Sequence, residues 1–320
     1  VTTSENAEIL DPIGDLLDTL DLQPAGSSLH TASDAADNNH SDFGVSESDV
    51  FIGRSQPMPR GRVFGGQVLA QSVIAAGRTV NDLIDAAERP RRIHSLHGYF
   101  LRAGDSNYPI RFTVERLRDG HSFSARRVHA IQYGRPILSM ITSFQTQANG
   151  LEHQDSMPSA PEPESLQTLA EVFHGVDYPQ ASFWPKDKPI DMRHVEGAIY
   201  IHPGPQLTSR QSVWLRTKGT LPDDPLINAA VLAYCSDYSL LEPVLRSHGL
   251  AWSDPRLRLA SLDHAMWFHR PGRADDWTLY VQDSPSASNG RGLSSGQMFD
   301  ADGVLLATVA QEGMIRLKDL

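Results

Sequence analysis

Val68-Leu69-Ala70-Gln71-Ser72-Val73-Ile74-Ala75-Ala76 and Ile227-Asn228-Ala229-Ala230-Val231-Leu232-Ala233-Tyr234 are apolar on nearly every face when wound as helices. That pattern belongs to a helix surrounded by protein, not to one lying on a surface. The helical pattern around them runs over residues 64–80 and 225–242. The second helix opens with Asp224 as N-cap and Pro225 at the first helical position, and it is expected to stop before Pro243. Each helix follows a short strand and leads into alternating strands. These are expected at 93–102, 110–118, 123–132 and 136–146, and again at 256–270, 277–284, 291–299 and 304–315. A long apolar helix followed by antiparallel strands implies an α+β protein in which a sheet curls around the helix.

The plan occurs twice. Tyr99-Phe100-Leu101-Arg102-Ala103-Gly104 lies over Trp267-Phe268-His269-Arg270-Pro271-Gly272 at an offset of 168 residues, and Ile137-Leu138 lies over Leu305-Leu306 at the same offset. Two strands can agree by coincidence, but matching element order on both sides favours a duplicated unit. The expected units are 50–146 and 211–320. Before them, 1–49 holds a short amphipathic helix at 12–22 and a polar stretch at 24–49 with little to bury, read as flexible. Between them, 147–210 holds a polar, proline-rich stretch, a short helix at 166–173 and an irregular connection at 179–205.

Composition narrows the function classes. The formal net charge of −11 argues against a nucleic-acid partner, although a local arginine cluster can still bind an anion. The single cysteine, Cys235, excludes an intrachain disulfide framework, and neither a Cys-x-x-Cys nor a His-Glu-x-x-His metal motif occurs. No metal or cofactor is therefore expected. No apolar run approaches the ~20 residues of a membrane span. Residues 1–10 lack a basic start and an apolar core, and Leu317-Lys318-Asp319-Leu320 is not a Ser-Lys-Leu address, so a cytoplasmic protein is expected.

Three polar residues sit where apolar ones belong. Helical spacing puts Asp237 on a stripe with Ala230, Tyr234 and Leu241. A carboxylate there is costly to desolvate, which raises its pKa and suits a general base. The alternative is an Asp that bonds a backbone amide at a helix end. Strand alternation puts Gln311 on a face with Leu305, Ala307, Val309 and Gly313, so its amide points inward and needs partners, which backbone alone can supply. Ser261 shares a face with Leu257, Leu259, Ala265 and Trp267, where a serine is often only a small core residue.

Several motifs break these ties. Val63-Phe64-Gly65-Gly66-Gln67-Val68, Tyr99-Phe100-Leu101-Arg102, Leu117-Arg118-Asp119-Gly120, Phe123-Ser124-Ala125-Arg126-Arg127-Val128, Ser236-Asp237, Asp263-His264-Ala265-Met266-Trp267-Phe268-His269-Arg270-Pro271 and Val309-Ala310-Gln311-Glu312-Gly313 occur in this order. Together they resemble the bacterial type II acyl-CoA thioesterases and their peroxisomal relatives. The resemblance implies a double hotdog, acyl-CoA as substrate, assembly into dimers or tetramers, and an active site of Asp, Thr or Ser, and Gln. The matching residues are Asp237, Ser261 and Gln311; serine keeps the hydroxyl that many relatives supply from threonine. In the implied mechanism the three hold one water, and Asp237 takes its proton as it attacks the thioester carbonyl.

Gly65, Gly66 and Gln67 open the first long helix and are the candidate oxyanion side, the alternative being a tight turn that needs glycine. Arg126, Arg127, Arg116 and Arg118 are candidates for the CoA phosphates, the alternative being a solvated strand face. At the repeat offset Asp237 corresponds to Leu69, so one site per fused pair is expected. Three rival readings stand against this one. A serine hydrolase elbow is absent, because Gly120-His121-Ser122-Phe123-Ser124 lacks its last glycine. A hotdog enoyl-CoA hydratase would need histidine where Glu242 stands, five residues after Asp237. A catalytically inactive acyl-CoA-binding hotdog protein would be favoured by loss of one of the three polar residues, and all three are present.

Overall fold

The computed structural model describes residues 11–30, 46–59, 61–176 and 188–318. Its first helices, α1 (Pro12–Leu20) and α2 (Gly65–Asn81), are followed later by α3 (Leu169–Val172), α4 (Pro225–Ser236) and α5 (Glu242–Ser247). The strands in the first part of the chain are β1 (Gln23–His30), β2 (Ser46–Gly53), β3 (Arg91–Phe100), β4 (Ile110–Asp119), β5 (Phe123–Gln132) and β6 (Arg135–Thr146). The later ones are β7 (Ile190–His194), β8 (Arg210–Thr217), β9 (Leu257–Ser261), β10 (Asp263–Phe268), β11 (Thr278–Ser288), β12 (Arg291–Asp300) and β13 (Leu305–Leu317).

Among the described residues these thirteen strands form one sheet. Its order is β1-β2-β4-β5-β6-β3-β10-β13-β12-β11-β8-β7, with β9 paired to β13. The early strands occupy one end and the late strands the other, joined where β3 runs antiparallel to β10 with Leu96 opposite Met266.

Helices α2 and α4 lie side by side at the centre, as their composition requires. From Gly66 to Gly77 every residue of α2 is buried. The two helices are antiparallel: a Cβ at Gly66, near the start of α2, would strike the carbonyl oxygen of Tyr234 near the end of α4, and one at Gly77 would strike Leu226 at the start of α4. Glycine at both positions lets the backbones approach closely. The buried polar groups of α2 are satisfied, as burial demands. Gln71 Nε2 donates to the carbonyls of Thr19 and Arg54 at 2.9 and 2.8 Å, which ties α1 and the end of β2 to the central helix.

The structure departs from the sequence reading in five places. The helix expected over 225–242 stops at Ser236, where Ser236 Oγ reaches the Ala233 carbonyl at 2.8 Å. Pro243 lies in the first turn of α5, where a missing N–H costs nothing. The expected strand at 256–270 is two strands. The polar stretch at 24–49 is not wholly irregular: β1 and β2 lie at its ends, and Gln23 to Ser27 of β1 are exposed at the sheet's edge, where apolar alternation is not required. The connection at 179–205 contains β7, also an edge strand, with Ile190, Met192 and His194 buried. The helix at 166–173 is reduced to α3, closed by a capping box between Thr168 and Glu171. The readings for residues 1–10, 31–45, 177–187 and 319–320 fall outside the described residues. Among the described residues no helix is long and apolar enough to cross a membrane.

Candidate active site

The start of α2 and the end of α4 face one another. The N-cap position of α2 is Phe64, which has no capping side chain, so the first N–H groups of the helix, at the positive end of its dipole, need acceptors from elsewhere. Asp237 is the C-cap residue of α4, with φ −87° and ψ −7°. Its carboxylate accepts a hydrogen bond from the Gly66 N–H and so caps α2 from the neighbouring helix. Both readings of Asp237 therefore meet in one residue: it bonds an amide at a helix end, and it is a sheltered carboxylate. A stripe shared with Leu241 is not formed, because the helix has ended by then.

Around this carboxylate the other two polar residues converge. Gln311 Nε2 donates to Asp237 Oδ1 at 2.9 Å and to Ser261 Oγ at 2.5 Å. Ser261 Oγ donates to the same carboxylate oxygen at 3.3 Å. Gln311 is buried with Ala307, Val309 and Gly313 on the inner face of β13, as alternation requires. Asp237 and Ser261 are half-buried. Burial pushes the Asp237 pKa up from 3.8 to about 6, against the pull of Gln311, Ser261, the Gly66 amide and the nearby Lys188 charge. A carboxylate tuned to that range is ionised at neutral pH yet basic enough to take a proton.

A β-bulge brings Ser261 to this place. Ser261 pairs with Gly313 and Ala265 with Ala310, so four steps on the β9–β10 side match three on β13. The extra residue reverses the alternation. Ser261 faces inward before the bulge; after it His264 and Met266 are buried while Trp267 is exposed. The expectation that Ala265 and Trp267 share the face of Ser261 is corrected accordingly. One consequence is a residue to which the sequence reading gave no role. His264 is buried, with Nδ1 2.8 Å from Gln311 Oε1 and Nε2 2.9 Å from Ser236 Oγ. His264 was visible in the sequence only as part of the run from Asp263 to Pro271; which way it pointed was not.

The remaining candidates divide. Gly65 lies against the carboxylate, where an added Cβ would come within 2.6 Å of Asp237 Oδ2. Gln67 turns away: its Oε1 accepts from the Gln56 N–H at 3.0 Å and its Nε2 donates to Gln71. Arg126 is fully buried and donates to Thr79 Oγ1 at 2.7 Å and to Asp119 Oδ1 at 2.8 Å. Thr79 is near the far end of α2, about 20 Å along the helix from Gly66 at 1.5 Å per residue. Arg116 pairs with Asp49 and Arg127 with Glu115, while Arg118 is exposed. The structure brings none of the four arginines to Asp237. Replacing Arg126 with Met is expected to cost about 1–3 kcal/mol by leaving the buried Thr79 oxygens without their donor, and to leave KM for acyl-CoA unchanged. Denaturant melts and initial rates check this; a large KM rise in a stable protein would count against it.

Counted from the first helical residue of each, Asp237 corresponds to Gly77 of α2, not to Leu69. Neither carries a carboxylate. Beside the site lies a cavity of about 330 Å³ lined by Met58, Phe64, Lys188, Tyr234 and Tyr238 among others. Phe64 precedes Gly65 and Tyr238 follows Asp237, and their rings stack with centroids 4.6 Å apart.

Comparison with known proteins adds an independent line. Residues 188–314 match the family model described as acyl-CoA thioesterase, and residues 54–145 match the acyl-CoA thioesterase N-terminal domain. The chain is 39% identical over 289 residues to acyl-coenzyme A thioesterase 8 of Homo sapiens, covering 85% of this chain and 86% of that protein. It is similar to the solved acyl-CoA thioesterase II TesB2 from Mycobacterium marinum, with 38% identity, TM-score 0.69, and 95% and 98% of the two chains covered. A hot dog fold protein from Alicyclobacillus acidocaldarius, 16% identical, gives TM-score 0.69 over 95% of this chain and 99% of that one, a likeness of fold alone.

Proposed function

The chain belongs to the acyl-CoA thioesterase family, a double hotdog that hydrolyses acyl-CoA to a free acid and CoA, and from that premise we propose that Asp237, Ser261 and Gln311 activate the attacking water. One observation carries this assignment: the Gln311 amide and the Ser261 hydroxyl both donate to Asp237 Oδ1 beside the start of α2. In the reaction, water takes a place against Asp237 by displacing the longest of these contacts, that of Ser261 at 3.3 Å. Asp237 accepts the water proton while the oxygen attacks the thioester carbon. Ser261 and Gln311 hold the water in line. The tetrahedral intermediate then collapses, and the proton passes to the departing CoA thiolate.

The oxyanion side lies at the first turn of α2. With the Gly66 N–H engaged by Asp237, the Gly65 N–H is the proposed oxyanion donor, at a residue where a side chain would strike Asp237 Oδ2 and Phe100. The acyl chain enters the cavity between Phe64, Tyr234 and Tyr238. We propose one such site per chain, with units at 50–146 and 211–320, 1–49 ahead of them and 147–210 between. We also propose a cytoplasmic dimer or tetramer. Tyr99, Ile141 and Trp267, on adjacent central strands, expose apolar area suited to a second copy.

The pH dependence tests the base. Asp237 must be ionised to act, so kcat/KM for acyl-CoA is expected to rise with a slope of one and level off above a midpoint near pH 6. Thiol release measured from pH 4.5 to 8.5 checks this. A midpoint near pH 4, the ordinary carboxylate range, would count against a sheltered base.

A further inference from the structure

The three site residues do not hold one another in place by themselves. The Gln311 carboxamide can be turned over: one orientation points two N–H donors at Asp237 and Ser261, the other points a carbonyl oxygen at a carboxylate. Something on its other side must choose. His264 is the group there, 1% exposed, with Nδ1 2.8 Å from Gln311 Oε1.

We propose that His264 is a positioning residue for the hydrolysis, locking the Gln311 amide with an Nδ1–H donor. The inference rests on the assignment of Asp237, Ser261 and Gln311 made above. A carboxamide oxygen only accepts, so the proton at this contact lies on Nδ1. The neutral ring then has an acceptor at Nε2, and the hydroxyl of Ser236, 2.9 Å away, fills it. That hydroxyl also donates to the Ala233 carbonyl at 2.8 Å, so its one proton is shared between that carbonyl and the ring. Burial keeps the ring neutral by holding its pKa far below the ordinary range, to about 4. Ser236 is the residue before Asp237, and Tyr280 Oη donates to its carbonyl at 3.1 Å. His264 therefore touches the chain that carries the base and the amide that faces it. The bulge between Ser261 and Ala265 is what turns both Ser261 and His264 toward Gln311, one on each side of it.

The two amide replacements of His264 separate this role from a packing role. An Asn amide nitrogen reaches close to the place of Nδ1 and can still donate to Gln311. A Gln amide reaches the place of Nε2 and leaves Gln311 Oε1 without its donor. His264→Gln is expected to lower kcat roughly 10- to 100-fold, as loss of an orienting partner does, with KM unchanged. Its acid limb should move to higher pH, because the Gln311 donation that holds the Asp237 pKa down is lost. His264→Asn should keep most of the wild-type kcat and its acid limb. A wild-type profile for His264→Gln, or equal losses in both variants with no movement of the limb, would overturn the proposal.

A measurement on the unmodified protein stands beside the variants, so that poor folding of either leaves the question answerable. The ¹⁵N chemical shifts of the His264 ring should report the Nδ1–H tautomer at pH 7, and an Nε2–H tautomer would overturn the proposal. Asp237→Asn tells the two failures apart. If it stays active, the site assignment falls and this inference with it; if it is inactive while His264→Gln is normal, only this inference falls.

Discussion

Asp237→Asn is expected to lower kcat at least about a hundredfold, the scale of a lost general base, while its melting temperature at neutral pH holds or rises. An Asn side chain fits the same space and accepts from Gln311 and Ser261 through its oxygen, but it has no basic site for the water proton. The stability half of the expectation follows from the raised pKa. The folded protein binds the Asp237 proton more tightly than the unfolded chain, with pKa about 6 against 3.8. Stability from this group is therefore complete below about pH 4 and is lost as pH rises through 6. At neutral pH the sheltered charge costs roughly 3 kcal/mol, taking 1.36 kcal/mol per pKa unit. Asn avoids that cost, less the penalty of placing an amide N–H against the Gly66 N–H. The difference in melting temperature between variant and wild type should accordingly shrink as pH falls from 7.5 toward 4. Thiol-release kinetics and thermal melts across that range check both halves. An active Asp237→Asn protein would remove the proposed base. A variant less stable than wild type at every pH would show that the carboxylate holds the fold together instead of straining it.

How much of this was legible in the sequence depends on whether the signal was local. The helices α2 and α4 were, because continuous apolar periodicity is a property of a dozen neighbouring residues. So was Gln311, since a straight strand carries its alternation unbroken from Leu305 to Gly313. Asp237 stood out for the right reason, a carboxylate amid apolar neighbours, but on the wrong geometry: the stripe assumed a helix that had already stopped at Ser236. Ser261 was legible only through the family resemblance, since a serine among apolar residues carries almost no signal. The bulge was hidden entirely, because an extra residue in one strand is defined by the strand beside it, and the partner, β13, lies some fifty residues away in the chain. His264 was lost with it. The arginines show the same limit. Arg126 and Thr79 meet across forty-seven residues, and nothing in the run from Phe123 to Val128 says which end of α2 it will cover. The edge strands β1 and β7 were missed for a different reason: a strand with one neighbour and an open face can be polar, and polar segments read as loops.

Two adjacent glycines should fail in opposite ways when changed to alanine. At Gly65 the new Cβ would lie 2.6 Å from Asp237 Oδ2 and 3.0 Å from Phe100 Cζ, both side-chain atoms that can move. The carboxylate retreats, and its retreat breaks the alignment with Ser261 and Gln311. A displacement near 1 Å at a reacting centre costs about a hundredfold in rate, so Gly65→Ala should lose kcat on that scale. Its melting temperature should change little, since alanine favours the helix by up to ~1 kcal/mol and offsets the strain. At Gly66 the new Cβ would press on the Tyr234 carbonyl oxygen and on the Phe64 ring. The carbonyl is backbone of α4 and cannot swing aside, so the two central helices must part. Overpacking of a rigid core costs about 1–3 kcal/mol, occasionally more, and this contact also sets the spacing that lets Asp237 cap α2. Gly66→Ala is therefore expected to lower the melting temperature by several degrees and to lose activity as a consequence. The pair is decided by measuring kcat and thermal stability side by side. If Gly65→Ala melts far below wild type, or if Gly66→Ala keeps its stability, then the carboxylate and the helix contact do not divide the two roles, and the close approach of α2 and α4 serves one purpose only.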